Sequence, residues 1–78
     1  MQEEIERLIR DGLDVLHLAI ELQGNHCNVE VVSAAFEGLK AVKRQQQVYQ
    51  CLNEKILSGE IHAVNIRALA PSQWSASS

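Results

Sequence analysis

The chain has 78 residues, of which 46% are hydrophobic, 22% are charged and 4% are aromatic, and its formal net charge is -3 at pH 7. This length supports one small domain, so residues 1–78 are expected to form a single unit, and no segment is long and apolar enough to span a membrane. The scarcity of aromatic side chains argues against a base-stacking surface for single-stranded nucleic acid, and the negative charge provides no overall attraction to phosphate.

Residues 2–10 are predicted to form the first helix. Ile5, Leu8 and Ile9 recur at the spacing of an amphipathic helix and make one apolar stripe. Gly12 is expected to end this helix, because glycine commonly follows the last helical turn. The segment begins with neither a basic region nor a long apolar run, so we expect no signal peptide.

Two antiparallel strands are predicted over residues 15–22 and 27–32, with a short turn over residues 23–26 between them. Apolar and polar residues alternate in the first strand, and those expected to face inward are Leu16, Leu18, Ile20 and Leu22. In the second strand, the inward residues are expected to be Cys27, Val29 and Val31. Asn28 and Glu30 are expected to face outward.

The longest helix is predicted over residues 41–57 and is expected to end at Ser58 and Gly59. Ser33 can cap a short helical turn over residues 34–39 that precedes it. The residues that recur at helical spacing and are expected to face the core are Val42, Val48 or Tyr49, Leu52 and Ile56. The opposite face is expected to carry Lys43, Gln47, Gln50 and Glu54.

A third strand is predicted over residues 61–69. Its alternation assigns one face to His62, Val64, Ile66 and Ala68, and the other to Asn65 and Arg67. Pro71 suits the first turn of a terminal helix that holds Trp74, and residues 75–78 are expected to be a frayed, disordered tail. The order is helix, strand, strand, helix, helix, strand, helix, which predicts an α+β fold.

The long helical connection between the second and third strands has a consequence for the arrangement of potential metal ligands. Such a connection usually makes a right-handed crossover between parallel strands. If the two strands are also neighbours, their N-terminal ends lie at the same edge of the sheet. His26 and Cys27 would then lie near His62, although a lone histidine on an apolar face can equally be structural.

Four blocks in this order resemble the BolA family, and most closely its short YrbA/IbaG-like branch. They are FEGL at residues 36–39, VKRQQQVY at 42–49, IHAVNIR at 61–67 and APSQW at 70–74. The match covers residues 29–74, which is most of the chain. The resemblance implies a three-stranded mixed sheet with helices on one face, similar to a class II KH domain.

The resemblance also implies a role in iron-sulfur chemistry. The family histidine that matches His62 helps to bind a [2Fe-2S] cluster shared with a monothiol glutaredoxin. The second ligand would come from the loop between the first two strands, as His26 or Cys27, with His26 slightly favoured because Cys27 also suits a small core residue. A [2Fe-2S] centre needs four ligands, so a cysteine of the glutaredoxin and glutathione would complete the site. The isolated chain is expected to carry no cofactor.

A local basic cluster is formed by Lys40, Lys43 and Arg44, which Arg67 would extend. It can be a solvated helix face, a docking surface for an acidic partner, or a contact for nucleic acid phosphate. The negative net charge favours partner docking. A DNA-binding transcription regulator is the alternative that the resemblance implies, but the chain lacks the GxxG loop with which KH domains clamp nucleic acid.

No catalytic constellation is apparent, so the sequence predicts an adaptor of the stress response and not an enzyme. It is expected to form a heterodimer with the glutaredoxin and to be a cytoplasmic monomer alone. Cys27 and Cys51 would then be reduced. Cys51 is interpreted as a core thiol, because no base is placed beside it.

Overall fold

The computed structural model describes residues 1–77, with side chains to residue 74, and contains the predicted elements in the predicted order. The helices are α1 (Gln2–Gly12), α2 (Ala41–Leu57) and α3 (Pro71–Ser77), and the strands are β1 (Val15–Gln23), β2 (His26–Ser33) and β3 (Ala63–Leu69). A short 3₁₀ turn, Ala34–Phe36, follows β2. Among the described residues, no helix combines the length and hydrophobicity that crossing a bilayer requires.

The three strands form one mixed sheet in the order β1-β2-β3. β1 and β2 are antiparallel and are joined by the two-residue loop Gly24-Asn25, in which Gly24 has a φ of 61°. Glycine is favoured at the first central position of such tight hairpins because that position requires a positive φ. β2 and β3 are parallel neighbours, as expected for two strands joined through a long helix.

The main core lies between one face of the sheet and the helices α1 and α2. Its fully buried members come from α1, β2, the 3₁₀ turn and α2, and include Ile5, Ile9, Val31, Phe36, Val48 and Leu52. Ser33 is buried beside this core, where its hydroxyl donates to the carbonyl oxygen of Asp14 (2.7 Å) and accepts from the N–H of Ala35 (3.1 Å). The predicted cap at Ser33 is therefore confirmed.

The inward position predicted for Leu16 is wrong. Val15 pairs with Ser33 and His17 with Val32, so Leu16 is an extra residue on β1. Such a bulge interrupts the alternation of faces. The Leu16 side chain is consequently 56% exposed, while Leu18, Ile20 and Leu22 pack against the core as predicted.

One of the inward assignments on α2 is also wrong, that of Val42, which is 60% exposed. Val48 and Leu52 are fully buried and Tyr49 is 42% exposed, so Val48 is the one of the two alternatives that faces the core. Ile56 packs against the core as predicted. Val42 lies about 120° around the helix from Val48, which takes it off the buried face. Gln47, predicted on the solvent side, is partly buried, and its Oε1 has no hydrogen-bond partner among the described residues.

α3 lies over one end of the opposite face of the sheet. The indole of Trp74 stacks on the imidazole of His17, with the ring centroids 5.2 Å apart. Gln73 Oε1 accepts hydrogen bonds from the N–H of Ala70 (3.0 Å) and from Arg44. The prediction of helices on one face thus holds for the two long helices, while α3 covers part of the other. The backbone is helical to Ser77, and Ser78, the end of the predicted tail, lies outside the described residues.

Candidate functional site

His26 and His62 lie at the same edge of the sheet, where β2 and β3 begin. The parallel register sets His26 opposite Ala63, the residue that follows His62. The N–H of His62 donates a 2.9 Å hydrogen bond to the carbonyl oxygen of Asn25. The third strand begins at Ala63, two residues later than predicted, so His62 belongs to the loop that enters it.

The two histidines are exposed, whereas the neighbouring thiol is not. His26 belongs to the face of the sheet that points away from α1 and α2, and Cys27 belongs to the face beneath these helices. Cys27 is only 1% exposed, and burial raises the pKa of its thiol above the ordinary 9.0. Burial favours the protonated thiol of Cys27, whereas a metal is bound by the thiolate. Cys27 is therefore a poor ligand.

The His62 ring lies on the α2 side of this edge. Its Nε2 is 3.7 Å from the position that a Cβ atom on Gly59 would occupy, and Gly59 has a φ of 83°. The turn after α2 therefore approaches the imidazole closely. Within the described part of the chain, no group of three or more His, Cys, Asp or Glu side chains is arranged to hold a metal ion. A metal ion held at this edge would therefore need ligands beyond those of the described residues.

The predicted basic cluster lies at the other end of β3. The C-terminal end of α2 is joined to the start of β3 by the bond from the Ile61 N–H to the Lys55 carbonyl oxygen. The N-terminal end of α2 is joined to the end of β3 by the bond from Arg44 Nη1 to the Ala68 carbonyl oxygen. Ala68 is six positions along the chain from His62, which corresponds to roughly 20 Å of strand. The basic cluster and the histidines are therefore distinct surfaces.

The members of the basic cluster differ in how exposed they are and in how many bonds they make within the domain. Lys40 and Lys43 are exposed. Arg44 is part-buried, and its guanidinium donates to the carbonyl oxygens of Leu39 (2.9 Å) and Ala68 (3.3 Å) and to Gln73. Arg67 is exposed on the sheet face away from α2, with its Nη1 3.8 Å from Glu30 Oε2. Arg67 therefore does not extend the surface formed by Lys40 and Lys43.

The same outer face carries polar contacts that the sequence did not single out. His17 Nε2 lies 3.2 Å from Glu30 Oε1, and the Asn65 amide donates to Asn28 Oδ1 at 2.9 Å. The alternating pattern assigns all four residues to outward faces. Only the register of the strands, however, makes them neighbours, because the pattern of one strand does not specify which residue of the next lies beside it.

Cys51 is a half-buried thiol in contact with α1. Its Sγ donates to the Gln47 carbonyl oxygen (3.4 Å), and burial raises the pKa of the thiol above the ordinary 9.0. It also limits the space around Gly12, since a Cβ atom on that glycine would stand 2.6 Å from the sulfur. These contacts are those of the packing thiol that the sequence predicted, and they favour the unreactive protonated form.

Comparison with known proteins gives a consistent result. A family model described as BolA-like protein matches residues 9–73. The chain is 37% identical over 71 residues to the acid stress protein IbaG of Escherichia coli strain K12, covering 91% of this chain and 84% of that protein. It is 33% identical over 86 residues to the DNA-binding transcriptional regulator BolA of Haemophilus influenzae, covering 97% of this chain and 82% of that protein.

Solved structures share the fold. BolA1 from Arabidopsis thaliana has a TM-score of 0.83 at 32% identity, and the BolA domain of SufE1 from the same plant has a TM-score of 0.84 at 30% identity. Each comparison covers 91% of this chain and 92% of the solved one. The predicted α+β fold and the resemblance drawn from the sequence motifs are thereby confirmed.

Proposed function

Since this chain belongs to the BolA-like protein family, we propose that it is an adaptor that pairs with a monothiol glutaredoxin to bind or transfer a [2Fe-2S] cluster. BolA-family proteins are regulators or adaptors. In this proposal His62 and His26 are the ligands from this chain. The partner's cysteine and glutathione are the others, because a [2Fe-2S] centre takes four ligands.

The observation that carries the proposal is the exposure of two imidazoles at one edge of the sheet. The hydrogen bond from His62 to Asn25 holds the start of β3 against the hairpin turn that precedes His26. Imidazole nitrogen is an accepted ligand of iron in [2Fe-2S] centres of mixed ligation. The remaining coordination positions would face away from this chain, which suits a cluster shared with a second protein.

The choice between the two candidate second ligands rests on burial. His26 is exposed, and Cys27 is enclosed in the core with a raised thiol pKa. Ligation by Cys27 would require both deprotonation and opening of the core around Val29 and Val64, which are in contact with the same interior. We therefore assign the role to His26.

The cluster, when bound, would supply electron-transfer capacity or be passed on as cargo. The chain's own residues would bind and orient it at the exposed edge. Because imidazole must be neutral to bind a metal, affinity is expected to fall as the pH becomes acidic. Such a dependence is compatible with a part in the stress response, and the Escherichia coli relative carries the name acid stress protein.

Anaerobic reconstitution with a monothiol glutaredoxin, iron, sulfide and glutathione tests this function. We expect a heterodimer by gel filtration, with a visible circular dichroism spectrum that differs from that of the glutaredoxin alone. The chain has three histidines, so His62→Ala and His26→Ala can be compared with His17→Gln as a matched control. Both alanine variants should change the spectrum, and the control should not.

The proposal would be contradicted if the spectrum were unchanged in both alanine variants. It would also be contradicted if the original chain gave only the spectrum of the glutaredoxin alone. Far-ultraviolet circular dichroism of each variant checks that the domain is folded. Because His26 and His62 are exposed, their removal is expected to change the stability by less than about 0.5 kcal/mol.

DNA binding is the second candidate, favoured by the exposure of Lys40 and Lys43 at the end of the domain away from the histidines. The Haemophilus influenzae relative is described as a DNA-binding regulator. Contacts to phosphate release counterions, so this function predicts affinity that falls steeply with salt and that is lost in the Lys40→Ala and Lys43→Ala double variant. Absence of measurable binding to duplex DNA at low salt would exclude it.

A further inference from the structure

Lys55, in the last turn of α2, links three parts of the domain close to His62. Its Nζ lies 2.6 Å from Glu4 Oε2 on α1 and 3.0 Å from Glu60 Oε2. Glu60 belongs to residues 58–62, which connect α2 to β3 and which we call the α2–β3 turn. Only 16% of the Lys55 side chain is exposed, and hydrogen bonds to the two carboxylates raise the pKa of its ammonium group above the ordinary 10.5. Lys55 is therefore a charged link between α1 and the turn that carries His62.

The α2–β3 turn is held to α2 through both its main chain and its side chains. The N–H of Ile61 donates to the Lys55 carbonyl oxygen (3.2 Å), and the side chain of Ile61 is buried. The Ser58 hydroxyl donates to Glu60 Oε2 (3.2 Å), the same oxygen that faces the ammonium group, and it accepts from the Glu60 N–H (3.4 Å). The residues on either side of Gly59 are thus bonded to each other, and one of them is bonded to Lys55.

The imidazole of His62 lies against Gly59 in this turn. His62 Nε2 is 3.7 Å from the position of a Cβ atom on Gly59, so the Cα hydrogen in that direction lies close to the ring. The main chain of His62 is fixed separately, by the hydrogen bond from its N–H to the Asn25 carbonyl oxygen. The backbone of His62 therefore depends on the β1-β2 hairpin, whereas the direction of its ring depends on where the turn places Gly59.

We propose that Lys55 is a positioning residue for His62: by holding Glu60, it fixes the α2–β3 turn against which the imidazole is oriented. This inference rests on the proposed function, because the direction of the ring matters chemically when His62 is a cluster ligand. Loss of a residue that orients a metal ligand typically lowers metal affinity by about 10–100-fold. Lys55 acts through the turn and not on the ring itself, so we expect a smaller effect, of about threefold to tenfold.

The consequence expected from this link is one of orientation more than of stability. Glu4 and Glu60 are exposed, and ion pairs of exposed carboxylates contribute little to the free energy of unfolding. A metal-binding side chain, in contrast, must be held within about 10–20° of its productive direction. Loss of the Glu60 contact can therefore alter the site while the domain stays folded.

The two carboxylates that bind Lys55 provide a matched pair of variants. Glu4→Ala removes the contact with α1, and Glu60→Ala removes the contact with the α2–β3 turn, so each leaves one partner for the ammonium group. Lys55→Met removes both contacts and keeps an unbranched side chain. Lys55→Arg keeps the positive charge and the donors. We expect Lys55→Met and Glu60→Ala to disturb His62, and Glu4→Ala and Lys55→Arg to leave it as in the original chain.

The first measurement uses the isolated chain, without glutaredoxin or cluster. In the original chain we expect a nuclear Overhauser effect between the imidazole protons of His62 and the Cα protons of Gly59. Lys55→Arg and Glu4→Ala should keep this ring signal, whereas Lys55→Met and Glu60→Ala should lose it or weaken it clearly. Amide chemical shifts across each variant check that the domain is folded.

The second measurement is the lifetime of the shared cluster in the complex reconstituted with a monothiol glutaredoxin. Visible absorption after the addition of an iron chelator follows the loss of the cluster. Lys55→Met and Glu60→Ala should shorten this lifetime about threefold to tenfold. Glu4→Ala and Lys55→Arg should leave it unchanged.

Three results would overturn the proposal. The ring signal could be absent from the original chain, or unchanged in both Lys55→Met and Glu60→Ala. Glu4→Ala could weaken it as much as Glu60→Ala does, which would show that Lys55 acts through the packing of α1. The ring signal could also be lost while the cluster lifetime stays that of the original chain. If the original chain forms no shared cluster, the proposed function fails, and the ring signal still decides whether Lys55 orients His62.

Discussion

The backbone N–H of His62 donates a 2.9 Å hydrogen bond to the carbonyl oxygen of Asn25. The N–H of Ala63 approaches the same oxygen at 3.4 Å, so the loop that enters β3 is fastened to the β1-β2 hairpin turn. His26 directly follows Asn25, and the two histidines are therefore brought to one edge by main-chain bonding. Their proximity follows from the register of parallel strands and does not depend on a metal.

The first prediction separates the two candidate second ligands. His26→Ala is expected to change the visible circular dichroism of the reconstituted complex and to leave the stability of the domain nearly unaltered. Cys27→Ala should do the opposite, because it removes a buried sulfur from the core and costs about 1 kcal/mol while leaving the spectrum unchanged. Urea denaturation of each variant, with the spectrum of its complex, measures both effects.

A spectrum that changes in Cys27→Ala and is retained in His26→Ala would reverse the assignment. Iron content per complex provides a second check, since the loss of a true ligand should lower it.

The second prediction concerns Arg44, which acts within the domain. Its bonds to the carbonyl oxygens of Leu39 and Ala68 and to Gln73 connect α2, β3 and α3. Arg44→Ala should lower the free energy of unfolding by about 2 kcal/mol, because hydrogen bonds from a charged group are lost and part-buried acceptors are left unpaired. Lys43→Ala, on the exposed surface, should change it by less than about 0.5 kcal/mol.

Chemical denaturation compares these variants, and the fluorescence of Trp74, the one tryptophan of the chain, reports whether α3 leaves its position. Equal stability of Arg44→Ala and Lys43→Ala would show that the hydrogen bonds of Arg44 contribute nothing measurable to the free energy of unfolding.

The third prediction concerns the close approach of α1 and α2 at Gly12. Within a helix, alanine is generally more stabilising than glycine by up to about 1 kcal/mol. The new Cβ atom would nevertheless stand 2.6 Å from Cys51 Sγ, so Gly12→Ala is expected to be destabilising. Overpacking of this kind costs about 1–3 kcal/mol.

Cys51→Ala supplies the control for this contact. In that background Gly12→Ala should become neutral or stabilising, and the interaction energy from the double-mutant cycle measures the clash. Additive effects of the two substitutions would mean that the sulfur does not limit the space at Gly12.

The fourth prediction is a dependence of stability on pH through the pair of Glu4 and Lys55. The hydrogen bond from Lys55 and its positive charge lower the pKa of Glu4 below the ordinary 4.5. A carboxyl group whose pKa is lowered on folding stabilises the protein above its unfolded-state pKa. That contribution is lost as the pH falls through the folded-state value. Glu4→Gln should therefore be less stable than the original chain at neutral pH, and the difference should shrink in acid.

Lys55 behaves in the complementary way. Hydrogen bonds to Glu4 and Glu60 raise the pKa of Lys55 above the ordinary 10.5. The contribution of Lys55 to the stability of the fold is therefore complete below its unfolded-state pKa and is lost as the pH rises through the folded-state pKa. Urea midpoints of the original chain and Glu4→Gln, measured from acid to alkaline pH, test both branches. A difference between the two proteins that stays constant across the acid range would contradict the assignment to Glu4.

Local patterns in the sequence predicted much of the fold. The bounds of α2 agree with the predicted residues 41–57 because the signals that end a helix, such as Gly59 after the last turn, act over a few residues. The parallel course of β2 and β3 was also predictable from the helical crossover between them, and their pairing in the sheet sets His26 and His62 at one edge. The position of Leu16 was not predictable in this way, because a bulge becomes evident only when the register with β2 is known.

By itself, the sequence determined the order of the elements and the parallel course of the two strands joined by α2, because periodicity and connection length are local properties of the chain. Only the tertiary structure decided which candidates are accessible. It enclosed Cys27, engaged Arg44 in bonds within the domain and left Val42 and Tyr49 exposed. These outcomes depend on which side of each element meets another element, and that is decided by packing between residues far apart in the sequence.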